Sequence, residues 1–177
     1  PFPRPGLPDF PVKRGLDRPG LPVVYPPIAN EFLAADRDSQ RAARAHLGIT
    51  ARHLLLNVKR LHPLAGQRFL IEAMPAIVAA HPDTTLVVCG TGTLAEELAA
   101  AARRLGVERH VRLAGLVDNA TVAVYNRAAD LFVLPSLLDA CPPVALEALA
   151  FGPPVISSHH PRVFELHRPV GTHAHVV

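Results

Sequence analysis

Two carboxylates, Asp139 and Glu147, stand eight positions apart across a stretch that contains Pro142-Pro143 and closes at Gly152. Proline at the first helical position and glycine just past the last are the common punctuation of a helix, so the pattern predicts helix from Pro143 to Phe151. Asp139 then lies in the loop before that helix, where exposed backbone amides and the positive end of the helix dipole face whatever occupies the adjoining space. A diphosphate suits such a position. Glu147 falls one turn into the helix, where its carboxylate can accept hydrogen bonds from both hydroxyls of a vicinal diol such as ribose. Spacing alone leaves the plainer alternative open, with Asp139 as a helix cap and Glu147 as a solvated helix residue.

Arg60 comes directly after the apolar run Leu54-Leu55-Leu56-Asn57-Val58. If that run is a buried strand, Arg60 stands at the mouth of the sheet, where a guanidinium can grip phosphate with two parallel hydrogen bonds. An ordinary surface arginine would look the same. Lys59 and His62 are further cationic candidates beside it. Gly90-Thr91-Gly92 follows a second apolar run and could let backbone approach a ligand, although a strand turning tightly into a helix uses the same residues. Ala95 stands where a dinucleotide-binding glycine pattern would have its third glycine, and no acidic residue closes a second strand, which argues against a nicotinamide dehydrogenase.

Metal chemistry is not indicated. There are ten histidines, but His159-His160, His167, His173 and His175 show no helical pairing with a carboxylate base. Cys89 and Cys141 are far apart, so neither a disulfide framework nor a zinc site is expected, and a cytoplasmic chain fits. The formal charge of +3 is spread without aromatic interleaving, which argues against nucleic acid as a partner. No apolar run approaches the eighteen or so residues of a membrane span. No export signal is read at the start, which begins at Pro1 as if cut from a longer chain.

These residues need a scaffold, and the chain alternates strand and helix patterns after an opening stretch rich in proline and glycine. Residues 1–27 read as a linker or partial interdomain segment, and residues 28–177 as one α/β binding domain expected to continue past its C-terminus. Helices are predicted over 38–47 (closed by Gly48), 67–80 (with Pro75 as a kink or local break), 94–105, 119–129 (opened by an Asn119 cap) and 143–151. Strands are predicted over 54–58, 85–89, 111–113, 131–134 and 154–157. Short, continuously apolar strands joined by helical crossovers mean a parallel sheet with helices on both faces, and ligands of such sheets bind beyond the carboxyl ends of the strands.

Several segments together resemble one family. Leu54 through Glu72, Val87-Val88-Cys89-Gly90-Thr91-Gly92, Val111 through Gly115, Ala129 through Ser136 and Asp139 through Val155 occur in the order and spacing of the donor domain of family-4 glycosyltransferases. The last of these resembles the family's E-x7-E region, with Asp139 where the first Glu is usual. The resemblance implies a Rossmann-like domain, one half of the two-domain architecture known as GT-B. It implies a retaining enzyme that moves a sugar from a nucleoside diphosphate sugar to an acceptor hydroxyl, with no metal or other cofactor and with the acceptor site on a missing N-terminal domain. Arg60 and Asp139 are the catalytic residues so implied, and Glu147, Gly90, Gly92, Lys59 and Val144 the binding set. Two departures stand out. The family pairs its Arg with a Lys five positions on, where this chain has Ala65, and Ala140, Pro142 and Pro143 replace a glycine-rich turn. A binding module without transfer activity, or a sugar-nucleotide epimerase of the same architecture, are the rival readings.

Overall fold

The computed structural model describes residues 37–139, 142–151, 153–158 and 174–176. The proline-rich segment 1–27, Cys141, Gly152, His159-His160 and His167 lie outside them.

Alternation along the strands builds the molecule. In β1 (His53–Val58), Leu54 and Leu56 point into one apolar cluster and Leu55 into another. Val87 and Cys89 of β2 (Thr84–Cys89) join the first cluster, Leu86 and Val88 the second. In β4 (Leu131–Leu134), Phe132 and Leu134 again divide from Leu131 and Val133. Successive side chains of a strand face opposite sides, so each run of apolar residues feeds two cores. The first core is closed by α1 (Arg37–Leu47), α4 (Asn119–Ala128) and α5 (Pro143–Phe151), and the second by α2 (Gln67–Ala80) and α3 (Ala95–Arg104). Leu54, Leu56, Ile71 and Leu86 are fully buried, each side chain contributing about 1.5–3 kcal/mol relative to exposure.

With β3 (Val111–Gly115), β5 (Val155–Ser157) and β6 (Ala174–Val176), the sheet has six strands in the order β3-β2-β1-β4-β5-β6, and every pairing is parallel. This is the doubly wound order, whose direction reverses between β1 and β4; ligands of such folds bind in the crevice at that switch point. At the opposite edge, the Asp130 carboxylate accepts from the Leu54 amide (2.7 Å) and pairs with Arg44 of α1, tying α1, β1 and β4 together.

Three sequence expectations need correction. The sheet has a sixth strand, β6, three residues long with His175 at its centre rather than an apolar run. Of the kink or local break expected at Pro75, the break does not occur: helix α2 continues through Pro75, its buried face of Leu70, Ile71 and Met74 outweighing one lost hydrogen bond. The cap of α4 is Asp118, not Asn119: Asp118 has extended backbone and its carboxylate accepts from the Thr121 amide (2.7 Å), as an N-cap requires.

Candidate functional site

At the switch point the loops after β1 and β4 are fastened to each other. The Leu137 amide donates to the Leu64 carbonyl (2.8 Å). Gly66 lies under Pro135 so closely that a Cβ on it would come 1.8 Å from the Pro135 carbonyl oxygen, and its φ of +73° is left-handed. Only glycine satisfies both demands. The third loop of the crevice, after β2, packs just as tightly: a Cβ at Gly90 or Gly92 would approach the Lys59 or Leu61 carbonyl oxygen to 2.1 Å. The Gly-x-Gly pattern therefore has a structural reason of its own, the seating of this loop on the backbone that carries Lys59 and Arg60.

Sequence reasoning passed over two residues that shape this region. Asn57, fully buried in β1, donates to the Val133 carbonyl (2.8 Å), joining β1 to β4 where backbone pairing has ended. Gln67, first residue of α2 and 1% exposed, donates to the carbonyls of Arg60 (3.1 Å) and Lys59 (3.4 Å). A polar residue inside an otherwise apolar strand was the available signal for Asn57; nothing in the spacing singles out Gln67. Asn57 Oδ1, Gln67 Oε1 and Ser157 Oγ are buried without a hydrogen-bond partner. Buried polar atoms usually have partners, so acceptor and donor capacity is left over at this end of the sheet.

The charged residues divide sharply. Lys59 crosses to Asp139 and forms an ion pair with it, which brings the loops of β1 and β4 together by charge as well as by backbone. Arg60 is exposed, and among the described residues its guanidinium has no hydrogen bond or ion pair. His62 is occupied: its Nδ1 accepts from the Leu64 amide (3.2 Å) and caps the short turn Pro63–Ala65. Ala65 is buried, at 4% exposure. Asp139 thus has a described partner other than the helix it precedes.

At the amino end of α5, Pro143 has no amide to give and the Ala145 amide donates to the Pro142 carbonyl (3.1 Å). The Val144 amide is the donor at this first turn that no described residue takes up. Glu147, one turn on, is half-buried, and that burial raises its carboxyl above the ordinary range. It is therefore not a freely solvated helix residue. Beside the crevice, a cavity of about 400 Å3 opens at the carboxyl ends of β4 and β5, lined by Phe69, Val133, Pro135, Leu137, Ile156 and Ser157. No group of three or more metal-ligating side chains occurs among the described residues, and no helix there is long and apolar enough to cross a membrane.

Comparison with known proteins gives this arrangement its relatives. The chain is 37% identical over 122 residues to a D-inositol 3-phosphate glycosyltransferase of Segniliparus rotundus, covering 66% of this chain and 27% of that protein. It is 30% identical over 144 residues to a GDP-mannose-dependent mannosyltransferase of Mycolicibacterium smegmatis, covering 77% of this chain and 38% of that protein. It thus spans well under half the length of these relatives. Among solved structures, WaaG, a glycosyltransferase involved in lipopolysaccharide biosynthesis, superposes with a TM-score of 0.75 at 25% identity, over 86% of this chain and 41% of that one. The Anabaena HepE structure in complex with UDP and glucose matches in fold with a TM-score of 0.74 at 23% identity, over 88% of this chain and 42% of that one. Residues 39–176 match the family described as glycosyl transferases group 1, and with that match over most of its length the chain belongs to this family, as a domain of the GT-B type.

Proposed function

We propose that the chain is the donor-binding half of a retaining glycosyltransferase that passes a sugar from a nucleoside diphosphate sugar to an acceptor hydroxyl. The observation that carries this reading is the fastened pair of loops at the switch point, where Arg60 is exposed with no hydrogen bond or ion pair among the described residues, in the loop joined to the one that leads toward α5. In this reading Arg60 and the Val144 amide hold the diphosphate, and Glu147 accepts from the ribose hydroxyls. When the bond between the anomeric carbon and the diphosphate oxygen breaks and the acceptor oxygen takes its place, giving its proton to the departing diphosphate, the charge developing on the diphosphate is stabilised by donors already in position. No cofactor or metal is part of the proposal.

The acceptor side is assigned to a second domain. The large hydrophobics left exposed among the described residues, Leu64, Phe69, Leu116, Leu137 and Leu138, all lie at the carboxyl edge of the sheet. An apolar rim around a charged crevice fits a surface that closes against another domain and excludes water from the donor. A cytoplasmic location is proposed with it, nucleoside diphosphate sugars being the substrate.

Ala65 favours a second reading, a nucleotide-sugar-binding module without transfer, since the resemblance leads one to expect a lysine there. Two measurements separate them. Calorimetry with uridine, guanosine and adenosine diphosphates is expected to show binding to the chain, and no heat with any of them at millimolar concentration would end both readings. Release of nucleoside diphosphate from a panel of sugar donors is expected only when an N-terminal acceptor domain is joined to the chain. Turnover by the 177 residues alone would refute the division into halves, and silence from the joined protein would favour the module.

A further inference from the structure

Lys59 and Asp139 are 80 positions apart in sequence and partners in space. Asp139 is withdrawn into the crevice, its side chain 12% exposed, and the Lys59 side chain beside it is 25% exposed. A carboxylate so placed needs a counter-charge, because it has lost most of its water. It also stands in the loop leading to α5, the place read above as receiving a diphosphate. Two like charges brought together in a recess of low dielectric repel strongly. A bare Asp139 would work against the ligand the rest of the crevice is built to hold.

The two adjacent cations are disposed differently. Gln67 fixes the carbonyls of both Lys59 and Arg60, and neighbouring side chains at a strand end diverge. One reaches Asp139 and the other stays exposed with no described partner. We infer that Lys59 is a positioning residue whose task is to cancel the Asp139 charge, so that the recess accepts a nucleoside diphosphate, while phosphate contact is left to Arg60. The inference rests on the donor-site reading given above.

The test is a double-mutant cycle on the whole chain, with uridine, guanosine and adenosine diphosphates as probes and thermal melts to confirm folding. Lys59→Gln is expected to weaken binding by on the order of thirtyfold or more, since it strands a withdrawn carboxylate. Adding Asp139→Asn to that variant is expected to recover most of the loss. If Lys59 were instead the phosphate ligand, the double variant would bind as poorly as the single one, and the inference would be overturned. Asp139→Asn alone keeps the ammonium and removes the repelling charge, so it is expected to bind the diphosphate more tightly than the native chain; weaker binding overturns the inference even if Lys59→Gln fails to fold. Failure of the native chain to bind any of the three probes would overturn the donor-site reading itself, a result distinct from the other two.

Discussion

Gly66→Ala isolates the fastening of the two loops. The added methyl would lie 1.8 Å from the Pro135 oxygen and 2.7 Å from its carbon, both backbone atoms that no rotamer change can move. Restoring ordinary contact requires the loops to part by roughly 1.5 Å, enough to break the 2.8 Å bond from the Leu137 amide to the Leu64 carbonyl. The left-handed backbone costs an alanine about 1–2 kcal/mol, the forced displacement about 1–3 kcal/mol and the lost bond about 1 kcal/mol. A destabilisation of about 3–6 kcal/mol is expected. Gly48→Ala provides the control, because Gly48 is equally left-handed (φ +64°) with nothing within 4 Å of its Cβ. It bears only the backbone cost, partly offset by a stiffer unfolded chain, and should lose about 1 kcal/mol. Urea denaturation of both variants measures the difference. If Gly66→Ala falls within about 1 kcal/mol of Gly48→Ala, the close approach does not hold the loops and the argument for a pre-assembled crevice fails.

Arg60→Ala should weaken nucleoside diphosphate binding by about tenfold or more while leaving the melting temperature nearly unchanged, because the side chain is exposed and has no described partner; calorimetry and a thermal melt read the two effects. Glu147→Ala should cost about 1–3 kcal/mol of binding, and an unchanged dissociation constant would return Glu147 to an ordinary helix position. Burial raises the Glu147 carboxyl above its usual 4.5, so the folded chain takes up this proton at higher pH than the unfolded one does. Stability held below the ordinary value is therefore lost as pH rises through the raised one, and Glu147→Gln should flatten that slope in melts across the acid range. Ionised Glu147 is also what accepts from a diol, so ribonucleotide binding should fall as pH drops through the same window more than 2′-deoxyribonucleotide binding does; equal pH dependence speaks against a diol contact. Burial pushes the Cys89 thiol up to about 12, against a smaller opposing pull from Arg112. In a Cys141→Ser background it should resist a disulfide reagent at pH 8 until the chain is unfolded, and rapid native-state labelling would contradict its burial.

Most of the scaffold was legible in the sequence because it is local. Gln67–Ala80, Leu131–Leu134 and Pro143–Phe151 fall where periodicity and punctuation put them, since helical spacing, apolar runs, proline starts and glycine ends act within one element. The parallel sheet followed from the order of those elements. Three-residue β6 did not, being too short to show a period and supported by its pairing to β5. The Asn119 cap was mistaken for its neighbour Asp118 because only backbone geometry separates the two.

The site divides in the same way. Arg60 came forward from its place at the end of an apolar run, because a parallel sheet sends its strand ends to one edge, and Asp139 and Glu147 from the proline and glycine that punctuate the helix at their position. What each residue touches was not written locally. The choice of Lys59 to face Asp139, the hold of Gln67 on the Lys59 and Arg60 carbonyls, and the seating of Gly66 under Pro135 all join positions from different loops. Side-chain direction at a strand end depends on how far neighbouring loops approach, a distance set by core packing beneath them. The sequence determined which chemistry could gather at that edge, and tertiary packing decided which cation pairs within the protein and which stays exposed with no partner among the described residues.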